Sequence, residues 1–132
     1  MKHQIIIGIG SNTAPQRNID RAKEELELHF EDISWSPFIP TEAIGFDGPP
    51  FVNGLSEAST SLTEPEVHLI LKEIESRLGS HHADKRAGKV VIDLDLMAFD
   101  GQKRHERNWQ FPFQQQLLEA LHGAKNKNNS CL

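Results

Sequence analysis

Lys89-Val90-Val91-Ile92-Asp93-Leu94-Asp95-Leu96-Met97-Ala98-Phe99 decides the fold. β-Branched residues and leucines surround two aspartates, and side chains along a strand alternate between faces. Ile92, Leu94 and Leu96 therefore share one wholly apolar face, which predicts helices packed against it. Val91, Asp93, Asp95 and Met97 share the other. The aspartates then stand on an open face, roughly 6–7 Å apart at Cα from a rise of about 3.3 Å per residue. Two carboxylates so placed repel each other unless a cation lies between them. Mg²⁺ is a hard cation that takes one or two protein carboxylates together with substrate phosphates. The pattern alone also describes the polar half of an ordinary exposed strand, although Asp is a poor strand former.

Upstream, Arg77, His81, His82, Lys85, Arg86 and Lys89 form a basic stretch suited to a polyphosphate or to a solvated loop. Before it lies an amphipathic helix. Thr63 and Glu66 have capping-box spacing, Pro65 suits the first turn, and Val67, Leu69, Ile70, Ile74 and Leu78 supply the apolar face. Gly79 is the stop signal. Gln4 to Ile9 reads as a buried strand running into Gly8-Ile9-Gly10-Ser11-Asn12. Ile19, Ala22, Leu26 and Phe30 mark a helix over 18–30. Strands are expected over 33–38, broken by Pro37 and Pro40, and over 51–59 after a Gly/Pro-rich loop. A short helix is expected over 114–121. The order β-α-β-β-α-β predicts an α+β, ferredoxin-like sandwich, an antiparallel sheet with two helices on one face. One domain is expected over 1–121, followed by a polar, disordered tail over 122–132.

The 132 residues suit a single core, and 37% hydrophobic with 25% charged residues is ordinary for a globular chain. The net charge of −5 argues against a general affinity for nucleic acid. Asp93 and Asp95 on the open face oppose an RNA-binding sheet. Cys131 is the sole cysteine, which excludes an intrachain disulfide and a thiolate cluster. No segment approaches the roughly 20 apolar residues of a membrane span, and a cytoplasmic protein is expected. Gly8-x-Gly10 lacks the third glycine of a dinucleotide fingerprint. His81-His82 lacks further nearby ligands for zinc. Trp35 and Trp109 fit partly buried packing better than stacking on a ligand.

Four pieces in order resemble the hydroxymethyldihydropterin pyrophosphokinases. Ile9-Gly10-Ser11-Asn12 is similar to that family's strand-to-loop opening. Thr41 to Gly45 with Pro50-Phe51-Val52-Asn53 resembles its pterin loop and following strand. Glu75-Ser76-Arg77-Leu78-Gly79 resembles the approach to its basic loop, and Ile92-Asp93-Leu94-Asp95-Leu96-Met97 its acidic signature. The resemblance implies the ferredoxin-like fold and Mg²⁺-dependent transfer of pyrophosphate from ATP to 6-hydroxymethyl-7,8-dihydropterin in folate biosynthesis. It implies that Asp93 and Asp95 hold two Mg²⁺ ions bridging ATP phosphates, with Arg86 nearby. Thr41, Ile44, Gly45 and Asn53 would frame the pterin, and Glu75, Lys85, Arg86, Lys89 and Leu96 the nucleotide. The chain departs from the family pattern on the nucleotide side. In a gapless reading, Ala87 replaces an aromatic residue, Val90 an arginine and Phe113 a histidine, while Ser80 and His82 stand where arginine is common. The alternative is a catalytically degenerate pterin-binding or assembly module.

Overall fold

The computed structural model describes residues 1–42 and 48–130, with side chains described through Gly123. The chain runs β1 (His3–Ser11), α1 (Pro15–His29), β2 (Glu31–Trp35), β3 (Ile39–Thr41), β4 (Phe51–Thr60) and α2 (Glu64–Arg77). It continues through α3 (His82–Arg86), β5 (Asp93–Phe99), β6 (Gln102–Lys103), α4 (Glu106–Trp109) and α5 (Pro112–Ser130). The strands form one antiparallel sheet ordered β2-β4-β1-β5-β6, with β3 also paired to β4. This is the ferredoxin-like arrangement expected from the element order.

The alternation in β5 falls as the sequence dictates. Ile92, Leu94 and Leu96 join Ile5, Ile7 and Ile9 of β1 in a core capped by Ile19, Ala22 and Leu26 of α1 and Val67, Leu71 and Ile74 of α2. Thr63 caps α2: its Oγ1 accepts from the Glu66 N–H at 3.4 Å, and the Glu66 carboxylate accepts from the Thr63 N–H at 3.0 Å. Beyond the helix, Gly79 takes φ 90°, the left-handed conformation that ends it.

Three differences from the sequence reading matter for the site. First, β5 begins at Asp93 rather than Lys89. The preceding backbone is held by isolated bonds instead of a ladder: the Asn12 N–H donates to the Val90 carbonyl at 3.0 Å, Asn12 Oδ1 accepts from the Val90 N–H at 2.7 Å, and Ser80 Oγ donates to the Ile92 carbonyl at 2.8 Å. Second, the strand expected over 33–38 is replaced by β2, which ends at Trp35, and a separate β3 starts at Ile39 beyond Pro37. Ser36 bridges the gap, its N–H donating to the Leu55 carbonyl and its Oγ accepting from the Leu55 N–H, both at 2.8 Å. Pro40 is accommodated because β3 is an edge strand.

Third, the face opposite α1 and α2 is partly covered. The α5 backbone continues from Pro112 to Ser130, past the expected end at Leu121, since after Gly123 no Gly or Pro interrupts it. Leu117 and Leu121 of α5 bury Leu55 and Met97 on that second face. Asp100 and Gly101, with φ 50° and 81°, make the two-residue turn between β5 and β6. Among the described residues no helix is long and apolar enough to cross a membrane.

Thr63→Ala removes the capping oxygen of α2 and is expected to lower unfolding stability by about 1 kcal/mol. Urea denaturation at fixed pH checks this, with an unchanged slope and a lower midpoint.

Candidate active site

Strand register builds the site. Gly10 of β1 pairs with Asp93 of β5 on one side and Asn53 of β4 on the other. Gly8 likewise pairs with Asp95 and Leu55. Neighbouring strands lie about 4.8 Å apart, which places the Asp93 and Asn53 backbones about 10 Å from each other across a floor without side chains. The glycines are required there. A Cβ on Gly10 would stand 2.6 Å from Asn53 Oδ1, and one on Gly8 would stand 3.0 Å from Met97 Cγ.

Over this floor lies a cavity of about 220 Å³. Asp93 and Asp95 stand at one side, Asn53 and Thr41 at the other, with Phe51, Phe111, Phe113 and Gln114 also on its walls. Asn53 Nδ2 donates to Thr41 Oγ1 at 2.6 Å, which fixes the amide over Gly10. The volume is below the roughly 300–1,000 Å³ of drug-sized sites and suits a small planar ring system better than a whole nucleotide.

Two lysines flank the acid pair. Lys85 Nζ lies 3.0 Å from Asp93 Oδ1 and 3.2 Å from Glu75 Oε1. Lys72 Nζ lies 3.1 Å from Glu75 Oε2 and 3.8 Å from Asp95 Oδ1, and it donates to the Leu94 carbonyl at 3.1 Å. Glu75 is 6% exposed and also accepts from the Leu94 N–H at 2.7 Å, so it joins α2 to β5 and holds both lysines. A groove of about 340 Å³ runs beside them, lined by Lys72, Glu75, Ser76, Ser80, His82 and Lys85.

This arrangement separates the carboxyls. Burial and then the Asp93 charge push Asp95 up to about 7, with Lys72 opposing. Burial would raise Asp93 too, but the Lys85 ammonium, hydrogen bonding with Asp95 and the Lys72 charge outweigh it and hold Asp93 below the usual carboxylate range. For Lys85, desolvation is outweighed by Asp93 and Glu75, which keep it charged.

Thr41, Asn53, Asp93 and Asp95 thus meet in one cavity, and Lys85 and Glu75 adjoin it. Arg86 and Lys89 are exposed on and just after α3, and neither forms an ion pair among the described residues. Leu96 is 4% exposed in the helix-facing core and lines a separate cavity with Glu64, Pro65, His68, Arg104 and His105. Ile44 and Gly45 lie outside the described residues. Lys72 was not foreseen as a site residue; its one sequence signal is the i,i+3 spacing to Glu75 on α2. Asn12 carries no role of its own in the sequence reading beyond the turn and the strand-to-loop opening that it helps to form. It ties the end of the basic loop to β1, its Nδ2 donating to the Gly88 carbonyl at 2.8 Å.

A family model described as 7,8-dihydro-6-hydroxymethylpterin-pyrophosphokinase (HPPK) matches residues 6–122. The chain belongs to the HPPK family. Over 140 residues it is 29% identical to a folate synthesis bifunctional protein of Arabidopsis thaliana, covering 96% of this chain and 28% of that protein. Over 116 residues it is 28% identical to a 2-amino-4-hydroxy-6-hydroxymethyldihydropteridine pyrophosphokinase of Synechocystis, covering 86% of this chain and 59% of that one. The chain therefore spans less than two thirds of the length of these HPPK relatives.

The donor set fits Mg²⁺. Among the described residues no group of three or more His, Cys, Asp and Glu gathers as an all-protein cage. Two hard carboxylates beside a groove are what an ion shared with substrate phosphates requires. Burial first and the Asp93 charge second disfavour a negative charge on Asp95, and a bound cation would offset both.

A pH dependence follows for the metal-free chain. With its folded pKa above the ordinary value, Asp95 stabilises the fold only while protonated. That contribution is complete below about pH 4 and is lost as pH rises through about 7. Asp95→Asn mimics the protonated form. It is expected to be more stable than the parent by about 1–2 kcal/mol at pH 8, after discounting for solvent screening, and indistinguishable at pH 4. Thermal melts with chelator at both pH values test this.

Proposed function

We propose that this chain transfers pyrophosphate from ATP to 6-hydroxymethyl-7,8-dihydropterin, with Mg²⁺ held by Asp93 and Asp95. The observation that supports the reading is the shared row Asp93–Gly10–Asn53, which brings the Asp93 and Asp95 carboxylates and the Asn53 amide to one cavity.

Asn53, fixed by Thr41, hydrogen-bonds the pterin edge, while the aromatic walls exclude water from its faces. The hydroxymethyl group then points toward the aspartates. Bound Mg²⁺ supplies charge neutralisation and alignment of the ATP phosphates. Lys72 and Lys85 add two ammonium groups at the edge of the groove, and exposed Arg86 and Lys89 offer further charge to a polyphosphate. The pterin hydroxyl oxygen attacks the β-phosphorus and gives up its proton to solvent, the bond from the β-phosphorus to the α,β-bridging oxygen breaks, and AMP leaves with that oxygen.

A second reading, pterin binding without transfer, is favoured by the nucleotide-side replacements. Val90 is 6% exposed with its N–H committed to Asn12, and Phe113 stacks on Phe111 with ring centres 5.8 Å apart. Neither position supplies a cation.

Incubation with ATP, Mg²⁺ and 6-hydroxymethyl-7,8-dihydropterin is expected to yield AMP and the pyrophosphorylated pterin by mass spectrometry. No AMP with retained pterin binding selects the second reading. Asp93→Asn and Asp95→Asn are each expected to reduce kcat/KM by more than about 100-fold, beyond the effect of losing an outer-sphere partner. Gly10→Ala is expected to displace Asn53 and raise the KM for the pterin with little effect on Mg·ATP binding.

A further inference from the structure

The buried stripe of α5 has one misfit. Leu117 and Leu121 are 2% and 1% exposed against the sheet, and Gln114 continues the same face one turn earlier at 8% exposed. Its neighbours Gln115 and Gln116 are exposed, as polar helix residues normally are. Gln114 lines the cavity that holds Asn53, Asp93 and Asp95, and its Oε1 has no hydrogen-bond partner among the described residues. A buried amide oxygen without a partner costs about 1–3 kcal/mol. An apolar residue at this position would continue the packing of Leu117 without that cost.

We infer that Gln114 is a specificity-determining residue of the cavity, its side-chain amide hydrogen-bonding an N–H edge of the bound heterocycle; this rests on the pterin reading above. Rotation about the last side-chain bond presents oxygen or NH₂ to the cavity, so the orphaned acceptor gains a partner when the ring enters. Asn53 comes from the sheet floor and Gln114 from the helix that roofs the second face. Two amides from different walls read two parts of one planar ring. The Phe111 and Phe113 side chains on the same walls cannot do so, because they offer faces and no hydrogen bonds. The ligand class is a planar nitrogen heterocycle carrying both donors and acceptors, as an aminopyrimidinone-containing bicycle does.

The test uses Gln114→Met, close in volume, and Gln114→Leu, which matches the stripe. 6-Hydroxymethylpterin is titrated calorimetrically into the chain with Mg²⁺ and a non-hydrolysable ATP analogue present. The expected result is a Tm equal to or above the parent's and a Kd for the pterin raised about tenfold, the loss of one hydrogen bond. Affinity for the Mg²⁺-bound analogue alone stays at the parent's value, and in turnover the KM for the pterin rises while kcat is kept. Parent-like pterin affinity in both variants overturns the inference and leaves the proposed function standing. A Tm lowered by several degrees, with both ligands weakened together, marks a packing residue and also overturns it. A parent chain that binds no pterin overturns this inference together with the reading it rests on.

Discussion

Gly10 sits between Asp93 and Asn53 in a three-strand row, and most of the candidate site follows from that pairing. Any side chain at this position would strike the Asn53 amide, and any shift of one residue in register would turn Asp93 and Asp95 toward the helices. The apolar partners Ile5, Ile7, Ile9, Leu94 and Leu96 prevent such a slip, because it would carry them out of the core and into the cavity. Core packing and site geometry are therefore a single constraint on β1 and β5.

The charges are organised around Glu75 rather than around the aspartates alone. A carboxylate buried at the end of α2 is costly unless it is paired, and this one is satisfied by two lysines and the Leu94 N–H. Those same lysines reach Asp93 and Asp95. One helix residue thereby holds two cations beside a groove where negative charge is expected. The unequal acidities of Asp93 and Asp95 follow from this asymmetry: Lys85 lies close to Asp93, whereas Lys72 stands farther from Asp95.

What sequence reasoning could reach was whatever local periodicity encodes. The alternation at Ile92, Leu94 and Leu96 and the Thr63–Glu66 cap fixed the core face of β5 and the start of α2, and both stand as expected. The placing of the acid pair on the face opposite the helices was legible from the Asp-x-Asp alternation, whereas Asn53 came into view only through the resemblance of Pro50-Phe51-Val52-Asn53 to the family's strand. Lys72 was not, since a lysine on a helix gives no sign of the strand beside it until the helix is docked. Gln114 was hidden among three successive glutamines, and only the approach of α5 to the sheet distinguishes it from Gln115 and Gln116. The covered half of the second face was likewise invisible, because it depends on where α5 lies in space rather than on its pattern.

Asn12 joins the beginning of the chain to the end of the basic segment through three hydrogen bonds, two to Val90 and one to Gly88. The segment carrying Lys85, Arg86 and Lys89 is thus moored at both ends, by α2 before it and by β1 after it. A free loop of the same composition would hold the same charges at a far lower effective concentration near the acid pair, and ordering it would cost backbone entropy at every residue. With the moorings in place, that ordering is done when the protein folds rather than when an anion arrives.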